Sequence, residues 1–251
     1  MFPLGNLVAH GFGGDHPHGM TFWADERPPR AAILGLSNSG GVMPFWTDQA
    51  YVKAAADVLR GGSISGFAGP TSMVRPLMAA LDLLGHAASL DADEPQFLLD
   101  LEDLHLPEGP STLASISVDR ETAISWRHAY NNELHLPTDD QSAAAASVDR
   151  WIAADSHRFL MIDGRPAAMT GFNAQLPDIV QIGGVYTPLE TRGRGLARRA
   201  VALHLDEARE GGARQATLFA ASDAAVACYT PLGFQRIGEF ALVFFDDEVA
   251  L

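Results

Sequence analysis

One stretch, Gly184-Val-Tyr-Thr-Pro-Leu-Glu-Thr-Arg-Gly-Arg-Gly-Leu-Ala197, constrains the fold more than any other because it joins a strand-like run to a helix through glycine and arginine. Ile179, Val180, Ile182, Val185 and Tyr186 form an apolar, β-branched segment that Pro188 stops. From Leu196 apolar residues recur at helical spacing (Leu196, Ala200, Leu203; Ala197, Val201, Leu205) as far as Gly211-Gly212. The first turn of such a helix presents N–H groups without intrahelical partners and the positive end of the macrodipole. Gly193 and Gly195 admit an anion to the backbone without a Cβ in the way. Arg192, Arg194, Arg198 and Arg199 surround that opening with fixed positive charge. The pattern predicts a site for a phosphate ester.

Two phosphate-loop classes fail on residue identity. A Walker-type loop ends in Gly-Lys-Ser/Thr, and the lysine of this chain, Lys53, lies far upstream. A dinucleotide fingerprint places a third glycine where Arg198 stands. What remains, Arg192-x-x-Gly195-x-Ala197, resembles the Arg/Gln-x-x-Gly-x-Gly/Ala loop of the GCN5-related N-acetyltransferases (GNAT), which bind the pyrophosphate of acetyl-coenzyme A.

The flanks carry the same resemblance. A strand is expected over 214–221 and a short helix over 224–229, ended by Pro231. Ala225-x-x-x-Tyr229-x-x-x-Gly233-Phe234 is similar to the second signature of that family, and the resemblance spans residues 111–251. It implies an α+β fold, with a central, twisted, mostly antiparallel sheet flanked by helices. It also implies coenzyme contacts at Val185, Tyr186 and Thr187 for the pantetheine arm, through a splay of that strand from the next. The backbone of Gly193, Arg194, Gly195, Leu196 and Ala197 would take the pyrophosphate, with Arg192 or Arg198 near its oxygens. Tyr229 matches the general acid that protonates the departing thiolate, and a phenol of ordinary pKa about 10 is protonated at neutral pH. Ser222 stands where the family commonly has an asparagine for the pantetheine arm; serine can cap the helix or donate one bond.

A base is harder to assign. In Trp126-Arg-x-x-Tyr130-x-x-Glu133, Tyr130 and Glu133 share a helix face, and the segment resembles the acceptor-side helix of tandem acetyltransferases. Glu133 is the candidate base or acceptor contact, against the alternative of a solvated glutamate on an amphipathic helix. His135, Asp178 and Glu190 are weaker candidates, and a water chain is another route.

Composition narrows the classes. With 47% apolar residues over 251, the chain can bury a large core or two smaller ones. A net charge of −14 argues against nonspecific nucleic-acid or anionic-membrane binding, and it permits a cationic acceptor. Cys228 has no second cysteine with which to form an internal disulfide. The start lacks a signal-peptide pattern and no apolar run spans a bilayer, so a cytoplasmic protein is expected. His10, His16 and His18 sit in a Gly/Pro-rich segment without firm ligand spacing, and no metal is expected. Asp139-Asp140 reads as a helix cap. Ser37, Ser39 and Ser111 lack a nucleophile-elbow context.

A boundary is expected within residues 104–110, where proline and glycine interrupt regular structure. Residues 1–108 then form one domain and 109–251 the catalytic one. In the first, strands are expected over 21–24, 31–36, 42–46 and 63–68, with helices over 51–59 and 73–84. This order parallels strand, loop helix, strand and tyrosine helix in the second half, as a divergent duplication would. The matching turn, Thr47-Asp48-Gln49-Ala50, has an acid and no glycine, so the first half is read as a degenerate copy without a coenzyme loop, shaping the acceptor cleft. The second half is expected to continue with strands over 113–117, 159–162, 166–172 and 179–186 and helices over 121–134 and 142–154. Asp163-Gly164 makes a tight turn, and a hairpin over 234–237 and 241–245 closes the sheet.

The resulting expectation is an acyl-coenzyme A dependent N-acyltransferase that passes acetyl to a primary amine, on a small molecule or peptide, within a ternary complex. The alternatives are a catalytically weak acyl-coenzyme A sensor or regulatory module and an O-acyltransferase. Oligomerisation is left open.

Overall fold

The computed structural model describes residues 2–12, 14–26, 31–133 and 140–251, which group into two compact units. One unit comprises residues 1–96 with 237–251, the other residues 97–236. This division differs from a single cut at 108/109 in two places: residues 97–108 group with the second unit and residues 237–251 with the first.

Within the first unit the elements are α1 (Phe2–His10), β1 (Met20–Ala24), β2 (Ala32–Ser37), β3 (Gly41–Trp46), α2 (Tyr51–Leu59), β4 (Ser63–Pro70), α3 (Thr71–Ala80) and the start of β5 (Ala88–Asp100). β1, β2 and β3 pair antiparallel, and β3 then pairs parallel with β4 through Gly41↔Gly66 and Val42↔Phe67. A parallel step needs a crossover, and α2 supplies it. Its buried face, Ala55, Ala56 and Leu59, closes on Trp46, Ile64, Phe67, Val74 and Leu77.

The second unit holds β6 (Thr112–Ser115), α4 (Arg120–Glu133), α5 (Gln141–Ala153), β7 (His157–Ile162), β8 (Arg165–Gln175), β9 (Ile179–Tyr186), α6 (Leu196–Glu210), β10 (Gln215–Phe219) and α7 (Asp223–Tyr229). Strands β6 to β9 are antiparallel neighbours, and β9 pairs parallel with β10 across α6. Asp140 caps α5 by accepting from the Ala143 N–H at 2.6 Å, whereas Asp139 and His135 lie outside the described residues. One sheet face packs Ile116, Ile124, Val148, Phe159 and Met169 under α4 and α5. The other packs Val201 and Leu205 of α6 against Phe172, Ile182 and Leu218.

Three expectations about local structure change. Helix α1, in a segment where no element was expected, and β5 were not anticipated. The closing hairpin is instead one strand, β11 (Gln235–Ala250). Its pairing with β4 runs from Phe240↔Pro70 to Ala250↔Ser63, with an irregularity between Phe244 and Val249. Pairing with β4 from Phe240 onward keeps the chain extended instead of letting it reverse. His10 and His16 stack with ring centroids 3.6 Å apart, and among the described residues no group of acids, histidines or cysteines has metal-holding geometry. No described helix is long and apolar enough to cross a membrane.

Candidate active site

Three features of the second unit converge at the end of β9. The first is a break in the sheet. β9 and β10 pair at Ile179↔Gln215, Val180↔Ala216 and Gln181↔Thr217, and there the ladder stops although β9 continues to Tyr186. Backbone groups of the last residues of β9 are thereby left unclaimed on the β10 side.

The second feature is a bulge that turns β9 locally. Met169 pairs with Tyr186 and Gly171 with Gly183, so three steps along β9 match two along β8, with Gly184 at φ +63°. The His157 ring fills the space above it. A Cβ on Gly184 would lie 2.6 Å from His157 Nε2, and one on Gly171 would lie 2.1 Å from the same atom. His157 stacks on Trp151 at 3.7 Å and pairs its Nδ1 with the Ser156 hydroxyl at 2.9 Å. Burial, then His204, Arg127 and Arg158, holds its pKa well below the ordinary imidazole range. It is therefore a neutral wedge that glycine at 171 and 184 makes possible.

The third feature is the loop. After Tyr186 comes a short 3-10 turn, Leu189–Thr191, then Gly193 at φ +76° and Gly195 at φ +74°. A Cβ at either glycine would meet nothing within 4 Å, so open space faces both. Gly195 is the N-cap of α6 and offers no side-chain cap. Arg199 N–H to Gly195 C=O, at 3.0 Å, is the first rung of the helix, and the earlier N–H groups stand outside the ladder. This opening suits a diphosphate: uncapped donors, positive dipole and no competing acid side chain.

The arginines divide their duties in a way the sequence did not reveal. Arg192 donates through one terminal nitrogen, Nη2, to both carboxylate oxygens of Glu133 at 2.7 and 2.8 Å and through Nε to Thr187 C=O at 2.9 Å. Arg198, expected near phosphate oxygens, instead donates to the carbonyls of Ala227 (3.0 Å) and Cys228 (3.1 Å), tying the head of α6 to the last turn of α7. Arg199 bonds the Ser111 hydroxyl and Pro107 C=O. Arg194 is exposed and has no partner among the described residues. It is the cation of the loop that an arriving anion meets uncommitted.

Tyr229 closes α7, whose N-terminus Ser222 caps by accepting from the Ala225 N–H at 3.2 Å. The Tyr229 side chain is buried and meets Phe234 edge-on at 6.1 Å. Between them Gly233 adopts φ +105°, where a Cβ would sit 2.7 Å from Asp103 C=O, so a larger residue is excluded. Burial, with Cys228 and Tyr130 adding to it, pushes the Tyr229 phenol far above its ordinary pKa. Its hydroxyl is therefore held protonated at neutral pH, the form in which it can donate. Burial also raises Cys228 to about 11, so that thiol is not a nucleophile.

Glu133 ends α4, with its carboxylate on Arg192 and the Tyr186 hydroxyl 3.5 Å away. To act as a base it must first leave that ion pair. Asp178 lies at the far end of β9, beside the backbone bonds it accepts from Arg214 and Gln215, and Glu190 is exposed on the 3-10 turn. Neither is brought to Tyr229 by the fold.

Residues 121–234 match the acetyltransferase (GNAT) family. This segment belongs to the GNAT superfamily. The same fold recurs in a GCN5-related N-acetyltransferase from Kribbella flavida, 19% identical over 90% of each chain, at a TM-score of 0.60. A GNAT-family acetyltransferase from Colwellia psychrerythraea is 11% identical over 96% of this chain and 90% of its own, with a TM-score of 0.58. A tandem GNAT protein from the clavulanic acid biosynthesis pathway is 15% identical over 97% and 86%, at 0.56. Identities this low show a shared fold. No curated protein matches the sequence. GNAT membership makes acyl transfer from an acyl-coenzyme A the general chemistry of the segment, and the residues present fit the coenzyme: an uncapped helix head with two left-handed glycines, and a strand edge left unpaired beside it.

Proposed function

We propose that the chain is an N-acyltransferase that moves acetyl from acetyl-coenzyme A to a primary amine while both are bound. The observation that carries this is the continuity of the unpaired edge of β9 with the open loop at the head of α6. Val185, Tyr186 and Thr187 hold the pantetheine arm along that edge. The N–H groups from Gly193 to Ala197 take the pyrophosphate, and Arg194 adds the free charge. Ser222, engaged as a cap, contributes less to the arm than an asparagine would.

The coenzyme supplies an activated acyl thioester. The protein has to align an amine with it, accept the proton that the ammonium loses, and return one to the thiolate that leaves. A C–N bond forms as the C–S bond breaks, the Tyr229 hydroxyl gives its proton to sulfur, and a proton from water restores the phenol before the next turnover. Tyr130 and Glu133 line the acceptor side. Glu133 serves there by fixing Arg192 and the end of β9, and the ammonium proton leaves through water. Residues 109–251 carry this activity, and residues 1–108 are a degenerate copy without the loop.

Calorimetry with acetyl-coenzyme A tests the binding half and thiol release over a panel of amines tests the catalytic half. Saturable binding with turnover on at least one amine supports the reading. Binding without turnover on any amine favours an acyl-coenzyme A sensor. A folded protein that gives no heat with the coenzyme ends both readings.

A further inference from the structure

A chain with 31 acidic residues has little reason to leave a partly buried arginine without one. Arg127 is such a residue. It lies on α4 one turn before Tyr130, with its guanidinium carbon 5.3 Å from the Tyr130 ring centre and 5.0 Å from that of Trp151. Its Nε is sealed from solvent and has no acceptor among the described residues. The charged or polar groups that act on it are Tyr130 and Arg150, and its own charge reaches His157. No described carboxylate is among them. The contrast is with Arg192, whose charge Glu133 meets in full.

Aromatic faces compensate a guanidinium only in part. An unpaired, partly desolvated charge remains costly beside that. Position suggests what offsets it. The Trp151 ring that covers Arg127 reaches within 3.7 Å of the Cβ position of Gly184, the bulge residue preceding Val185. The Tyr130 ring on its other side is close enough to raise the Tyr229 phenol. Arg127 is thus one aromatic ring away from both the unpaired edge of β9 and the proton donor.

We propose that Arg127 receives the carboxylate of the acceptor, so that the substrate is an amine that also bears a carboxylate, as amino acids and peptide C-termini do. The inference rests on the acyl-transfer reading above and supplies the acceptor class that reading leaves open. A planar guanidinium held by two rings presents two parallel donors to a carboxylate, which fixes where the amine sits. Specificity then comes from the penalty on analogues that leave the charge unpaired.

The test uses the full chain and matched acceptors, amino acids and short peptides offered as free acids and as C-terminal carboxamides, with thiol release from acetyl-coenzyme A as readout. The free acids should exceed their carboxamides in kcat/KM by tenfold or more. Arg127→Met, which keeps an unbranched apolar stem between the rings, should abolish that preference by raising KM for the acids and leaving kcat largely in place. Its Tm should be equal to or above that of the wild type, because a purely structural arginine would lower it. Calorimetry with the acceptors and coenzyme A should show the same preference. Carboxamides that bind and react as well as the acids in the wild type overturn the assignment. So does an Arg127→Met protein that loses coenzyme affinity with its acceptor preference unchanged. Coenzyme titration in the absence of acceptor separates the failures: no coenzyme binding defeats the acyl-transfer reading, whereas binding with no acid preference defeats only the role of Arg127.

Discussion

The heads of α2 and α6 follow the same plan, a strand feeding a crossover helix that leads to a parallel neighbour, and they differ in what fills the space in front of the helix. At α6 the N-cap is Gly195 in the left-handed region and the front is open. At α2 the chain closes the space itself. Asp48 Oδ1 accepts the Ala50 N–H at 2.9 Å, and the Tyr51 and Val52 N–H groups bond the carbonyls of Asp48 and Gln49. The strand edge tells the same story. The β3 ladder with β4 ends after Val42↔Phe67, as β9 leaves β10 early, but the Trp46 N–H past that break is taken by Met73 Sδ at 3.4 Å. Beside α2 lies a hollow of about 290 Å³ lined by Trp23, Asp25, Trp46 and Tyr51, where the Tyr51 hydroxyl bonds Asp25. An anion would meet the Asp25 carboxylate there. Keeping a fold is thus separate from keeping a ligand site, since a few side chains suffice to plug the second.

The comparison can be broken most decisively at Tyr229. Tyr229→Phe should lower kcat by a hundredfold or more while coenzyme affinity is retained, as expected for loss of a general acid; equal kcat would move the proton source elsewhere. Next comes Gly195→Val. A β-branched residue at φ +74° costs about 1 to 2 kcal/mol and puts methyl groups into the open front of α6, so coenzyme Kd should rise at least tenfold. Unchanged affinity would show that the loop is not the anion site.

A third effect concerns the buried histidines, both in the second unit. Burial lowers the His204 pKa to about 3. Below pH 6.5 the unfolded chain therefore takes up a proton that the folded one refuses, and stability falls as pH drops toward 3. Between pH 7.5 and 5.5 the wild type should lose about 1.4 kcal/mol more than His204→Leu in urea unfolding. Parallel losses would mean that the imidazole protonates in the folded state.

The smallest effect sharpens the contrast between the two helix heads. Asp48→Ala should cost about 1 kcal/mol or less of stability as a lost turn bond, with calorimetric stoichiometry still one coenzyme per chain. A second equivalent bound by either protein would make the first unit a site in its own right.

Much of this was legible in residue order. Periodicity gave β9 and α2 with their observed ends, and the spacing from Arg192 through Gly195 to Tyr229, Gly233 and Phe234 named the acetyltransferase loop and the tyrosine helix. Local patterns report local structure, because a strand, a glycine turn and an amphipathic helix are each written within a few residues. β11 was misjudged for the complementary reason: whether a chain reverses at Gly238 or runs on depends on a partner strand some 170 residues away, β4.

The open backbone of the loop, then, was written in the sequence, since tolerance of positive φ and a missing Cβ are properties of glycine itself. Tertiary structure decided which charges were free to use. Arg192, Arg194, Arg198 and Arg199 look alike in the sequence, and only packing assigned one to Glu133, one to the end of α7, one to Ser111, and left one open. It likewise left Arg127 against two rings with no carboxylate among the described residues. Pairing of charges is a matter of distance in space, and sequence separation carries no information about it.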